Sequence, residues 1–177
     1  MENSLELEVK ILNYDLEKLK NDLLSKGGKY LNTEKQTNIY FNTEDEFLTD
    51  YEQLRIRITE FKDKKTHKEL TFKKRLEDST LRRNIELNTS IDDEKNLIET
   101  LSYLGYEEIK RACKIRETYD FKGQRIEFDK WDIDIFPYPY CEIEVDSEDK
   151  LKEILQELQI PEDKVSTKSI KELVDEL

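Results

Sequence analysis

The sequence predicts an α+β fold of antiparallel strands covered by a few amphipathic helices, and three observations carry that expectation. Seven segments alternate apolar and polar residues with a period of two, the spacing of a strand with two unlike faces. Three stretches repeat leucine and isoleucine at helical spacing between capping residues and a glycine or proline stop. The charged strand faces are largely sorted by sign, some basic and some acidic.

The first strand, at about 4–12, sets Leu5, Leu7, Val9 and Ile11 against Glu6, Glu8 and Lys10. A helix follows at about 15–27, where Leu16, Leu19, Leu23 and Leu24 recur after Asp15 and Gly27-Gly28 stops the run. Strands are then expected to about residue 89. Among them Leu54, Ile56 and Ile58 oppose Arg55 and Arg57, and Leu70 and Phe72 oppose Thr71, Lys73 and Arg75. Ile85 and Leu87 oppose Arg82, Asn84 and Glu86.

A second helix, at about 91–104, is entered through Ser90 or Asp92 and ended by Gly105. More strands run to about 146. There Cys113 and Ile115 oppose Lys114 and Arg116, Ile126 and Phe128 oppose Glu127 and Asp129, and Cys141, Ile143 and Val145 oppose Glu142, Glu144 and Asp146. Helices near 147–158 and 167–176 close the order, the first with Ser147 as N-cap and Pro161 beyond. Each half has a Gly-ended helix followed by strands with a basic-x-basic pair, Arg55/Arg57 and Lys114/Arg116. No Pro/Gly/Ser-rich linker divides them, and residues 1–177 are read as one domain.

Composition bounds the function. A formal charge of −12 disfavours nonspecific binding to nucleic acid or an anionic membrane surface, but says nothing against a local basic pocket. No apolar run approaches a membrane span and no signal-peptide pattern is present, so a soluble cytoplasmic protein is expected. His67 is the one histidine, which removes His-based triads and relays; it lies in a polar hairpin-like stretch and is expected to be solvated. Cys113 and Cys141 are expected to be buried reduced thiols.

Two architectures satisfy the strand pattern: an open sheet with its charged face in water, or a barrel with helices outside and the charged face as its lumen. Interleaved signs would suit a solvated face, whereas sorted signs suit a shared ligand. Cations and carboxylates converging in a tunnel need ligands. A polyphosphate carrying divalent metals would meet both signs. On spacing alone both architectures stay open.

The ordered set of motifs then resembles a family. Glu6-Leu7-Glu8-Val9-Lys10 resembles the ExExK signature of the CYTH, or triphosphate tunnel metalloenzyme, superfamily, and Asn38 to Thr43 is similar to its Tyr-Phe-Asp-Thr segment. Leu54 to Arg57 resembles its LRIR strand and Leu70 to Lys73 its LTxK strand. Lys114-Ile115-Arg116 is similar to the later KxR pair, Glu127-Phe128-Asp129 to the strand with an inward Asp, and Cys141 to Glu144 to the terminal EIE. One departure stands out: Asn84 occupies the usual Glu position of an RxExE strand, within Arg82-Arg83-Asn84-Ile85-Glu86.

The resemblance implies an eight-stranded antiparallel β-barrel, a tunnel with a charged lumen, that binds a triphosphate with Mg²⁺ or Mn²⁺. Carried over by position, Glu6, Glu8, Asp129, Glu142 and Glu144 would hold metal, and Lys10, Arg55, Arg57, Lys73, Arg82, Lys114 and Arg116 would hold phosphates. Lys168 is expected to reach the tunnel. Without a catalytic His, a metal-bound water held by carboxylates such as Glu8, or Lys10, would serve the nucleophile. The implied activity is hydrolysis of tripolyphosphate, a nucleoside triphosphate or thiamine triphosphate. The alternatives are a class IV-type adenylyl cyclase, with Tyr40, Tyr51, Trp131 or Tyr138 stacking on the base, and a noncatalytic polyphosphate or nucleotide sensor. No membrane or nucleic-acid polymer partner is expected, and a homodimer is the base-rate oligomer.

Overall fold

The structure is a computed structural model of the chain. It describes residues 4–45, 47–49, 51–76 and 82–177, with the side chains of residues 4–6 and 82 outside the description. The order is β1 (Ser4–Ile11), α1 (Leu16–Ser25), β2 (Lys29–Thr43), β3 (Glu52–Phe61), β4 (Thr66–Leu76) and β5 (Arg82–Ser90). Then come α2 (Glu94–Tyr103), β6 (Tyr106–Phe121), β7 (Gln124–Trp131), β8 (Tyr140–Val145), α3 (Glu148–Glu157), a two-residue β9 (Val165–Ser166) and α4 (Ile170–Val174).

Eight strands close into an antiparallel barrel. The ladder runs β5-β4-β3-β2-β6-β7-β8-β1, and β1 pairs back onto β5. Residues 7–11 of β1 lie along β8, residues 4–8 lie along β5, and β9 takes up Lys10 and Ile11. The two long strands that follow Gly-ended helices, β2 and β6, pair with each other along most of their length.

Side chains that alternate along a strand point to opposite faces of a barrel wall. The apolar sets point outward beneath the helices. Val9, Ile126 and Ile143 pack under Leu19 and Leu23 of α1 and Leu151 and Ile154 of α3. Ile39, Phe41 and Ile56 pack under Leu101 of α2. A smaller cluster joins Leu173 of α4 to Phe136 and Tyr140.

Local signals place the helices. Asp15 caps α1 by accepting from the Lys18 amide at 3.0 Å, and Gly27, at φ +95°, ends it in a conformation that side chains resist. The α2 cap is Asp93, not Ser90 or Asp92, because only its carboxylate accepts from both the Lys95 and Asn96 amides. Ser147 caps α3 as expected. The last helix is shorter than its pattern suggests, since a 3₁₀ turn (Glu162–Lys164) and β9 precede a Ser169 capping box.

Two expectations about β6 need correction. Cys113 is only partly buried, and Ile115 is 44% exposed. The outward face at this point on β6 is left partly open, while the opposite face, with Lys114 and Arg116, is buried. Cys141 is buried as expected, and both cysteines are free. His67 sits on β4, half exposed, 3.5 Å from Glu69. Among the described residues no helix is long and apolar enough to cross a membrane.

Candidate active site: a charged lumen

The charged strand faces point inward. Lys10, Arg55, Lys114 and Arg116 are buried, and the side chains of Arg57 and Lys73 keep only 15% and 14% exposure. Buried with them are Glu8, Glu86, Glu127, Asp129 and Glu142, together with Asn38 and Asn84 at 0% exposure. The solvated-face architecture is thereby excluded.

One wall, built by β6, β7, β8 and β1, is locked by short ion pairs. Arg116 Nε and NH2 donate to the two Asp129 oxygens at 2.7 and 2.6 Å, and NH2 also donates to Glu142 at 2.8 Å. Its NH1 pairs with Glu127. Lys114 Nζ lies 2.6 Å from Asp129, and Lys10 Nζ lies 2.8 Å from Glu142. The Tyr140 hydroxyl donates to Asp129 at 3.1 Å and accepts from Trp131 Nε1 at 3.0 Å.

The opposite wall, built by β3, β4 and β5, is looser. Arg57 NH1 is 3.8 Å from Glu69, and Arg55 NH2 is 3.8 Å from Glu86. Lys73 lies 3.3 Å from Glu86 and 3.5 Å from Glu8. Those separations exceed the 2.7–2.9 Å of strong charge-assisted hydrogen bonds. Arg57 Nε donates instead to Asn38 Oδ1 at 3.1 Å, and Arg55 NH1 to Gln53 at 3.0 Å.

Proton affinities follow the charges. Burial lowers Arg57 to about 10, helped by Arg55 and Arg116, and it remains a cation at neutral pH. Burial and Arg116 push Lys114 down to about 8, although Asp129 opposes the shift. Burial alone would raise Glu86, but Lys73 and Arg55 outweigh it and hold the carboxyl at about 2. Lys10 and Arg116 likewise hold Glu142 low against its burial, and Arg116 and Lys114 do so for Asp129. Glu127 goes the other way, raised by burial despite Arg116.

Several expected site residues meet here. Glu8, Lys10, Arg55, Arg57, Lys73, Lys114, Arg116, Asp129 and Glu142 line the lumen. Glu144 stands opposite Glu8 in the β1–β8 ladder, partly buried and engaged by neighbours. The Glu6 backbone pairs with Asn84 and the Arg82 backbone with Glu8, but their side chains lie outside the described residues. Lys168 does not reach the lumen; it is half exposed and pairs with Glu176.

The lumen also takes in Tyr140, Asn38, Glu69, Glu86 and Glu127, to none of which the sequence assigns a metal- or phosphate-binding role. The period-two signal contained them, since Tyr140 is in phase with Glu142, Glu127 with Asp129, and Asn38 with Gln36.

Among the described residues no three acidic, thiol or imidazole groups are already arranged around a metal position. Their chemistry nevertheless fits a hard cation. Glu8, Glu142 and Glu144 offer oxygens from neighbouring strands, and Asn84 turns its amide nitrogen to Glu8 at 3.2 Å, leaving its buried Oδ1 without a hydrogen-bond donor.

A closed barrel with helices outside and buried ions of both signs inside defines the class of fold. The CYTH domain model matches residues 4–170. A Methanocaldococcus jannaschii protein named "Putative adenylate cyclase MJ0240" is 30% identical over 179 residues, spanning 96% of this chain and 98% of its own. The structure of PH1819 from Pyrococcus horikoshii OT3 is similar with a TM-score of 0.76 at 28% identity, covering 97% of this chain and 98% of that one. HpAC1 from Hippeastrum, described as a "putative adenylyl cyclase" with a dominant triphosphatase activity, has a TM-score of 0.69 at 17% identity, over 93% and 90% of the two chains. That last likeness bears on the fold alone. The chain belongs to the CYTH domain family.

Proposed function

We propose that the chain binds a triphosphate group in its lumen and hydrolyses it with Mg²⁺ or Mn²⁺. The observation that carries this reading is the loose wall: Arg55 and Arg57 are held in a closed barrel with their carboxylate partners among the described residues, Glu86 and Glu69, 3.8 Å away. Buried guanidinium groups with distant counter-ions favour a dense anion, and a polyphosphate has oxygens enough for several. Lys73 would join them, while Lys10 and Lys114 would exchange their present carboxylate partners for phosphate oxygens.

Glu8, Glu142, Glu144 and the Asn84 amide oxygen would hold the metal, with Glu6 and Asp129 added by family resemblance. When bound, it would neutralise phosphate charge and lower the pKa of a coordinated water. Hydrolysis forms one bond from water oxygen to phosphorus, breaks one bridging P–O bond and releases a proton; Glu8 and Lys10 are the groups proposed to take or pass it. Arg116, already bound to three carboxylates, would hold the tight wall in place and keep Asp129 oriented.

A second reading, adenylyl cyclase, is favoured by the name of the relative that is 30% identical over nearly the whole chain. Incubation with Mg-ATP or Mn-ATP separates the two: ADP and phosphate support hydrolysis, cyclic AMP and pyrophosphate support cyclisation. The panel should include tripolyphosphate and thiamine triphosphate. Tight binding of all of them without turnover in either metal would leave a sensor and sink both enzymatic readings.

A further inference from the structure

Two buried donors on the inward faces of β2 and β3, Asn38 Nδ2 and Arg55 Nε, have no hydrogen-bond partner among the described residues. Asn38 is wholly inaccessible, on β2, directly across from Arg57 on β3 and from Ala112 on β6. Directly opposed residues in antiparallel strands share a face, so all three look into the lumen. The next inward row along the same strands is Thr59, Gln36 and Lys114.

The orientation of the Asn38 amide follows from its neighbour. Arg57 Nε–H can only donate, and it does so to Asn38 Oδ1 at 3.1 Å. Turning the amide over would set two donors against each other. Oδ1 is therefore fixed toward Arg57, and Nδ2 points away from it, buried and without an acceptor, on the strand flanked by Ala112 of β6. Native proteins rarely leave a buried amide donor unsatisfied. The Arg57 guanidinium and the Ala112 methyl group across from it cannot accept a hydrogen bond, and the buried Gln36 Oε1 in the next row does not reach it, having no donor of its own. The acceptor that fits a neutral amide donor beside two guanidinium groups is an anionic oxygen. An aspartate at this position would still have received Arg57, but it would repel that anion.

We propose that Asn38 is a phosphate-recognition residue whose Nδ2 donates, beside Arg55 Nε, to a non-bridging oxygen of a bound polyphosphate, with Arg57 setting the amide's direction. The proposal rests on the triphosphate-binding reading above and assigns one of its contacts to a neutral side chain.

The test uses the full chain, ¹⁵N-labelled, titrated with tripolyphosphate and separately with orthophosphate. The Asn38 side-chain amide pair is identified as the pair missing from Asn38→Asp. At saturating tripolyphosphate this pair should shift downfield. Calorimetry should show binding weakened by about tenfold or more in Asn38→Asp, with no fall in melting temperature because the acceptor for Arg57 is kept. Asn38→Leu, which removes the donor without adding charge, should weaken binding similarly. Orthophosphate should shift the same pair at higher concentration if a lone phosphate occupies the same position. An unmoved amide pair at saturation would overturn the proposal, as would wild-type affinity in Asn38→Leu, which would mark the aspartate effect as charge alone. If wild-type protein bound neither anion, the triphosphate reading would fall and this assignment with it. Normal wild-type binding with insensitive variants would remove the assignment only.

Discussion

Arg116 and Asp129 face each other in the β6–β7 ladder and meet through two hydrogen bonds of 2.7 and 2.6 Å, buried from water. The same guanidinium also reaches Glu127 and Glu142. Arg116→Ala would leave three buried carboxylates short of their principal cation. The expected loss is about 3–5 kcal/mol of unfolding free energy, read by urea denaturation. Arg116→Lys should recover only a fraction, because an ammonium cannot form the paired contact.

Arg57→Met should behave in the opposite way. Its partner Glu69 is 3.8 Å off, and burial, Arg55 and Arg116 all disfavour its charge. Stability should change by no more than about 1 kcal/mol, since removing a poorly compensated buried charge offsets the lost contacts. Tripolyphosphate affinity, measured by calorimetry, should fall by at least about tenfold.

Acid should unfold the protein through the lumen. Glu86, Glu142 and Asp129 have folded pKa values below their ordinary ones, so the unfolded chain binds more protons as pH falls from 4.5 toward 2. Stability from these groups is present above 4.5 and is lost through that window, partly offset by Glu127, whose shift is upward. Lys114, at about 8 folded against 10.5 ordinarily, should add stability as pH rises between those values. Urea midpoints across pH check both slopes.

Gly28→Ala is predicted to destabilise by about 1–3 kcal/mol. A Cβ there would stand 2.7 Å from Leu23 Cγ and 2.8 Å from the Leu23 carbonyl oxygen. Leu23 is wholly buried in the larger core and cannot move aside cheaply. Gly27→Asn, at a positive φ with open space around it, should cost less. Thermal melts of the two variants provide the comparison.

Lys10→Ala should lower phosphate release by about a hundredfold, the usual scale for one preorganised charge in a site. It also frees Glu142 from a 2.8 Å partner. An unchanged pH–rate profile in the residual activity would exclude Lys10 as the group that takes the proton.

Much of this barrel could be read from alternation. A period of two put Glu8 and Lys10, Arg55 and Arg57, Lys114 and Arg116 on shared faces, and the barrel turned those faces inward. Three things escaped it. Periodicity says which residues share a face but not how well a helix covers the other one, and Ile115 therefore stayed exposed. It favours charged side chains over Tyr140 and Asn38, whose importance comes from side-chain hydrogen bonds to the neighbouring strand. It also groups charges by strand, whereas pairing is decided across the ladder: Lys10 meets Glu142 through the β1–β8 register.

The pairing of β1 also has a consequence for how the protein is made. The strand is synthesised before both of its partners, residues 82–86 and 141–145. A nascent chain must hold an amphipathic, unpaired edge until nearly the whole barrel has been synthesised. Closure is then a late, long-range event, which predicts slow folding and a dependence on chaperones or low temperature during expression.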